Sequence, residues 1–140
     1  MRNGSRVILK IHGTIDTPNR MIFGRSKYAE ARVQNSSFYQ LIDALLLTNT
    51  FVLFGCGLDD PDFQLLFENF CIRFPTANPH YMTMADTVNP DLEALTRDTR
   101  KIKFLKYSKA NDHRELELSI ANLVKLVELE RASIAENQSW

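Results

Sequence analysis

The chain has 140 residues with 17 basic and 17 acidic side chains, so its formal net charge of zero offers no electrostatic footprint for nucleic acid or an acidic membrane surface. Its 44% hydrophobic and 24% charged residues are those of an ordinary soluble globular protein, and the length predicts a single domain over residues 1–140. No stretch approaches the roughly 18 to 20 apolar residues of a membrane span, and Met1-Arg2-Asn3-Gly4-Ser5 lacks a hydrophobic signal core, which makes the cytoplasm the default compartment.

In chain order, Val7 to His12 reads as a buried strand that delivers the His12-Gly13 pair into a turn. Thr14 to Arg20, with Pro18-Asn19, reads as a loop. Met21-Ile22-Phe23 reads as a short strand, followed by a polar helical turn around Tyr28. Asn35-Ser36 can cap the next helix, whose apolar positions Phe38, Leu41, Ile42 and Leu45 follow the i, i+3, i+4, i+7 pattern of one buried face. Thr50 to Phe54 is β-branched and aromatic, without alternation, as a parallel strand covered on both faces requires. Asp60 is a good N-cap with Pro61 at the first helical position. Phe63, Leu66, Phe67, Phe70, Cys71 and Phe74 then form an apolar face that Pro75 terminates.

His80 to Ala85 predicts another strand, and Asn89-Pro90 opens a helix to about Arg97. Ile102 to Tyr107 predicts the last strand. Asp112 with Glu115 three residues later resembles a capping box, and Leu116, Ile120, Leu123 and Val127 form the stripe of a final helix that frays before Trp140. Strands alternating with helices imply an α/β fold: a mostly parallel, Rossmann-like sheet of about four main strands with right-handed crossovers and helices on both faces. The core spans about residues 6–127, and 128–140 is a helix end and tail.

Ligands of an open parallel sheet bind outside the carboxyl ends of its strands. That rule selects His12-Gly13, Gly55-Cys56-Gly57, Asp86 and Tyr107-Ser108 on one edge. His12 is the candidate acid/base group, because imidazole exchanges protons near neutrality; the bland alternative is a histidine that only hydrogen-bonds a loop backbone. Gly55 and Gly57 allow close approach to a ligand or simply a sharp turn. The Asp60-Pro61 helix start offers amides to an anion, although a plain N-cap is the commoner reading of Asp60. His80 reads as structural, His113 as solvated, and Glu115, Glu117, Glu128 and Glu130 as the wet face of the last helix. Cys56 and Cys71 form no CxxC and have no histidine at ligand spacing, so no metal is expected and both read as reduced, buried thiols.

The segments VILKIHGTID, MIFGRSKY, FVLFGCGLDDPDFQLLF, HYMTMAD and KIKFLKYS resemble the SIR2-like domain, the sirtuin-related family found in many bacterial anti-phage defence proteins. The resemblance runs from about Val7 to about Leu126. It implies NAD as the bound substrate, His12 as the catalytic base acting on a ribose hydroxyl while the nicotinamide–ribose bond breaks, and Gly55-Cys56-Gly57-Leu58 as the turn that contacts the nucleotide ribose. Gly13, Asp60, Tyr107 and Ser108 complete the expected nucleotide-binding set.

Departures from the pattern shape the expectation further. The family's G-A-G-x-S phosphate-binding segment and a later N-[YT]-D segment precede the HG pair, and this sequence has neither; Gly57 stands where the family usually has serine. The four-cysteine zinc module of deacetylating sirtuins is also absent. The chain is therefore expected to be the C-terminal portion of a SIR2-like domain, an NAD hydrolase when completed by an N-terminal or partner segment pairing with the first strand, and inactive alone. The alternatives are a non-catalytic, self-associating interaction module and a flavodoxin-like nucleotide binder.

Overall fold

The computed structural model describes residues 8–22 and 24–137, without the side chains of Arg20 and Arg25. Val7, Phe23 and the last three residues, on which some sequence expectations fall, lie outside the described residues. After a short 3-10 turn at Pro18–Arg20 come α1 (Gly24–Gln34), α2 (Ser36–Thr48), β1 (Val52–Leu53), α3 (Pro61–Arg73), β2 (His80–Ala85), α4 (Pro90–Arg100), β3 (Ile102–Tyr107) and α5 (Ala110–Asn137). The strands form one parallel sheet in the order β1-β2-β3, with Val52 opposite Tyr81 and His80 opposite Ile102. The chain is thus an α/β protein, as its alternating pattern predicts.

The register sorts the side chains onto two faces. Phe51, Leu53, His80, Met82, Ile102 and Phe104 point to one face, where α3 and α2 contribute Phe67, Phe70, Ile42 and Leu46 to a continuous apolar core. Helix α4 lies beside α3, joined to it by Arg100–Glu68 at 3.0 Å. Both crossovers therefore cover the same face, as right-handed parallel connections require. On the opposite face Phe54, Thr83 and Leu105 line a cavity of about 390 Å³ together with Leu116, Ile120 and Leu123 of α5.

The first expected strand does not form over its described part. Residues 8–10 have no ladder partner, Ile8 is 87% exposed, and residues 11–12 form a turn closed by Gly13 N–H donating to Lys10 O at 3.3 Å. An apolar run becomes a strand only where a neighbour supplies hydrogen bonds. The sheet accordingly has three strands among the described residues rather than four. Met21 and Ile22 are likewise not a strand; Ile22 N–H instead donates to His12 O at 3.1 Å. The 50–54 strand contracts to Val52–Leu53, and Gly55 (φ +64°) turns the chain just beyond it.

The polar turn expected at Tyr28 is a full helix of 11 residues. Its sequence carries too little apolar periodicity to announce itself, and among its described side chains only Ala31 is buried. Asn35 does not cap α2 with its side chain. Its N–H is bonded to Ala31 O, so α1 runs almost directly into α2. The buried residues of α2 are Ile42 and Leu46, and Leu41 is exposed.

At α5 the expected Asp112 cap is displaced. Asn111, Asp112 and His113 are left-handed, a conformation that Asn and Asp tolerate best. The capping pair is Ser108 with Glu115: Ser108 N–H donates to the Glu115 carboxylate at 2.8 Å, and Ala110 N–H to Ser108 Oγ at 3.2 Å. Leu116 and Ile120 are half-buried, whereas Leu123 and Val127 are exposed.

His80 is structural, as its place at a strand's beginning suggests. Its Nδ1 accepts Phe51 N–H at 3.2 Å, Phe51, Phe67 and Phe70 surround the ring, and Nε2 is buried without a partner among the described residues. Burial pushes its pKa below the ordinary imidazole value. The folded state therefore keeps His80 neutral, while the unfolded chain binds a proton as the pH falls through about 6.5. The resulting stability is fully present above that value and is lost as the pH drops toward the folded pKa. The urea midpoint is expected to fall between about pH 7.5 and about pH 5, and to fall less in His80→Gln. Phe70→Ala, at a fully buried position, is expected to cost about 3–5 kcal/mol in urea unfolding, and Ile72→Ala, at 77% exposure, well under about 1 kcal/mol.

Candidate functional site

Three segments distant in sequence converge on the N-terminus of α3. Asp60 opens that helix: its Oδ1 accepts from Asp62 N–H at 2.9 Å and Phe63 N–H at 3.2 Å, while Pro61 has no N–H to satisfy. The helix start is consequently not a free anion site, since its exposed donors are taken and two carboxylates already stand there. This overturns the expectation that α3 offers amides to a ligand.

Asp62 follows in the first turn and is only 4% exposed. Its Oδ1 accepts from Arg32 Nε at 3.0 Å and lies 2.9 Å from a terminal guanidinium nitrogen, which also donates to the Asp62 backbone carbonyl at 3.1 Å. Its Oδ2 faces His12 Nε2 at 3.3 Å. The Tyr28 ring lies 5.0 Å from the His12 ring, and the Arg32 guanidinium sits 4.9 Å from the centre of the Tyr39 ring. The His12 side chain is 41% exposed, and no hydrogen bond to its Nδ1 forms among the described residues.

Electrostatics follow the same geometry. Burial, then the charges of Asp60 and Asp62, raise the Tyr28 pKa. Burial and Asp62 raise that of Tyr39, partly offset by Arg32. Burial and Asp60 raise the Cys56 thiol. Cys56 is nonetheless exposed, contrary to the expected buried thiol, because the loop after β1 carries it out to the rim. Its Sγ lies 3.5 Å from Phe54 O.

The structure brings the His12 side chain to Asp62, two residues after Asp60, and the Gly55-Cys56-Gly57-Leu58 loop leads into the same helix start. Gly13 (φ +86°) and Gly55 (φ +64°) occupy left-handed backbone that disfavours a side chain. Gln64 Nε2 donates to Leu58 O at 2.7 Å and ties the loop to α3. A Cβ at Gly57 would meet only Asp59 N, at 4.0 Å, so a larger residue would fit there. Tyr107 and Ser108 are not part of this group. Tyr107 ends β3 and Ser108 follows it, two strand spacings of about 4.8 Å from β1, and both bond into α5, Tyr107 Oη with His113 Nδ1 at 3.0 Å.

Sequence reasoning missed Asp62, Arg32, Tyr28 and Tyr39. Asp62 is masked because an acid in a first helical turn is the ordinary complement to the helix dipole. The four-residue spacing of Tyr28 and Arg32, one face of a helix, is the signal that could have found them.

A profile of the SIR2-like domain family matches residues 1–112. The chain belongs to the SIR2-like domain family. The match takes in the His12 turn, α1, the loop after β1 and all three strands, and ends as α5 begins. Comparison with curated proteins returns no match. The SIR2-like assignment carries with it a sirtuin-related, NAD-binding type of fold, consistent with the parallel sheet. Among the described residues no helix is long and apolar enough to cross a membrane, and no cluster of His, Cys, Asp and Glu is arranged to hold a metal.

The cap of this SIR2-like domain is testable. Asp60→Ala is expected to lower stability by about 1 kcal/mol, and Asp60→Asn by only a few tenths, as read from urea midpoints.

Proposed function

We propose that this SIR2-like domain binds NAD at the C-terminal edge of its sheet and takes part in its hydrolysis, in the setting of bacterial anti-phage defence. The observation that carries this reading is His12: a half-open imidazole, at a glycine turn, with one nitrogen against a carboxylate at the start of α3. His12 acts as the base toward a ribose hydroxyl while the nicotinamide–ribose bond breaks. Water adds at the ribose carbon, and the products are nicotinamide, ADP-ribose and a proton. Gly13, Gly55, Cys56, Gly57 and Leu58 line the approach of the ribose.

The pyrophosphate needs donors from elsewhere. The α3 amides are occupied by Asp60, and Asp60 and Asp62 would repel phosphate. Hydrolysis on this reading depends on a G-A-G-x-S segment supplied by another stretch of chain or another molecule. The 140-residue chain incubated with NAD is expected to release no nicotinamide above the buffer control, and robust turnover would overturn that dependence. With such a segment supplied, His12→Ala is expected to reduce release by at least about 100-fold while the fold survives. Calorimetric titration with NAD, ADP-ribose and FMN separates this reading from a flavodoxin-like one.

A second reading, a non-catalytic interaction module, draws support from α5, on which Leu118, Leu126 and Leu129 are more than half exposed. Light scattering after size exclusion decides it: a stable monomer counts against self-association.

A further inference from the structure

We propose that Asp62 is the positioning residue of His12, fixing the imidazole with its proton on Nε2 so that Nδ1 is the nitrogen left to accept a proton. The inference rests on the reading of His12 as a base and adds which nitrogen does the work and what holds it there.

A carboxylate only accepts hydrogen bonds. The imidazole nitrogen facing Asp62 Oδ2, His12 Nε2 at 3.3 Å, must therefore carry the hydrogen, and in the neutral ring Nδ1 is then bare. Asp62 is suited to the task because it is over-determined. Its N–H is bonded to Asp60, its carbonyl to Arg32, and its Oδ1 is gripped by the Arg32 fork, so Oδ2 alone remains for the histidine. Arg32 also balances the charge of a carboxylate that is almost wholly buried. It is itself held over Tyr39.

His12 is pinned from its own side too. Its carbonyl accepts Ile22 N–H at 3.1 Å, the Lys10–Gly13 turn fixes its backbone, and the Tyr28 ring limits rotation of the imidazole. A base held this way presents one nitrogen in one direction. The substrate hydroxyl must approach from the Nδ1 side, away from α3.

The test is the tautomer of His12 in the full 140-residue chain, read by long-range proton–nitrogen correlation of histidine-labelled protein at mildly alkaline pH, with the signal assigned by its loss in His12→Gln. The expected result is predominantly the Nε2–H form. An Nδ1–H form, or an even mixture, overturns the proposal whatever the variants do.

Asp62→Asn supplies a sharper arm. With Arg32 still claiming the one oxygen, the amide NH₂ faces His12, and the tautomer is expected to invert to Nδ1–H. An unchanged tautomer in a folded variant overturns the proposal.

In the nicotinamide-release assay with the phosphate-binding segment supplied, Asp62→Asn is expected to lower kcat by at least about 100-fold, with KM within about threefold. An inactive His12→Ala beside a fully active Asp62→Asn overturns the positioning role. A fully active His12→Ala with the expected tautomers instead overturns the base reading and leaves Asp62 as the residue that orients the ring.

Discussion

A carboxylate that leaves water must find partners, and the arrangement around the site follows from that requirement at Asp62. Taking away one partner of a buried ion pair costs about 3–5 kcal/mol, because the other charge is left uncompensated. Asp62 meets the requirement with Arg32 from α1 and His12 from the first turn, 30 and 50 residues away in sequence. One side chain therefore holds three segments together at the N-terminus of α3. The polar helix α1, with Ala31 its one buried residue among those described, is tied to α3 through Arg32.

The sheet supplies the platform. Parallel strands with right-handed crossovers place α3 and α4 on one face, and the phenylalanines of α3 close over His80, Met82, Ile102 and Phe104. That face is dry enough to lower the His80 pKa by burial and, among the described residues, to leave its Nε2 without a partner. Among the described residues the other face has the first turns of α5 against it, and a cavity remains between them. The rigid face carries α3, and α3 carries Asp60 and Asp62. The precision of the site is in this way inherited from the better-packed half of the molecule.

Much of this was legible in the residues. Asp60-Pro61 and Asn89-Pro90 mark two helix starts, and both caps form with the side-chain bonds that the residue types predict. His80–Ala85 and Ile102–Tyr107 are strands at the bounds that their β-branched and aromatic content suggests. The rule that parallel sheets bind ligands at their carboxyl edge grouped His12, the Gly55 loop, Tyr107 and Ser108, yet Tyr107 and Ser108 bond into α5. Edge membership is one-dimensional, whereas two strand spacings separate those residues from β1. The apolar run ending at Ile11 misled for a related reason, since hydrophobicity without a ladder partner does not make a strand.

The sequence by itself determined the local terms: where helices begin, which residues alternate, the SIR2-like family pattern, and the presence of a histidine at a glycine turn. Those follow from backbone sterics, capping chemistry and short-range periodicity, all contained within a few neighbouring residues. Only the tertiary structure decided that the α3 amides are already spent on Asp60, that Asp62 is buried, and that Arg32 and His12 meet on it. A charge gains its partners from whatever the fold brings within hydrogen-bond reach, and no local pattern encodes a contact across 30 or 50 residues.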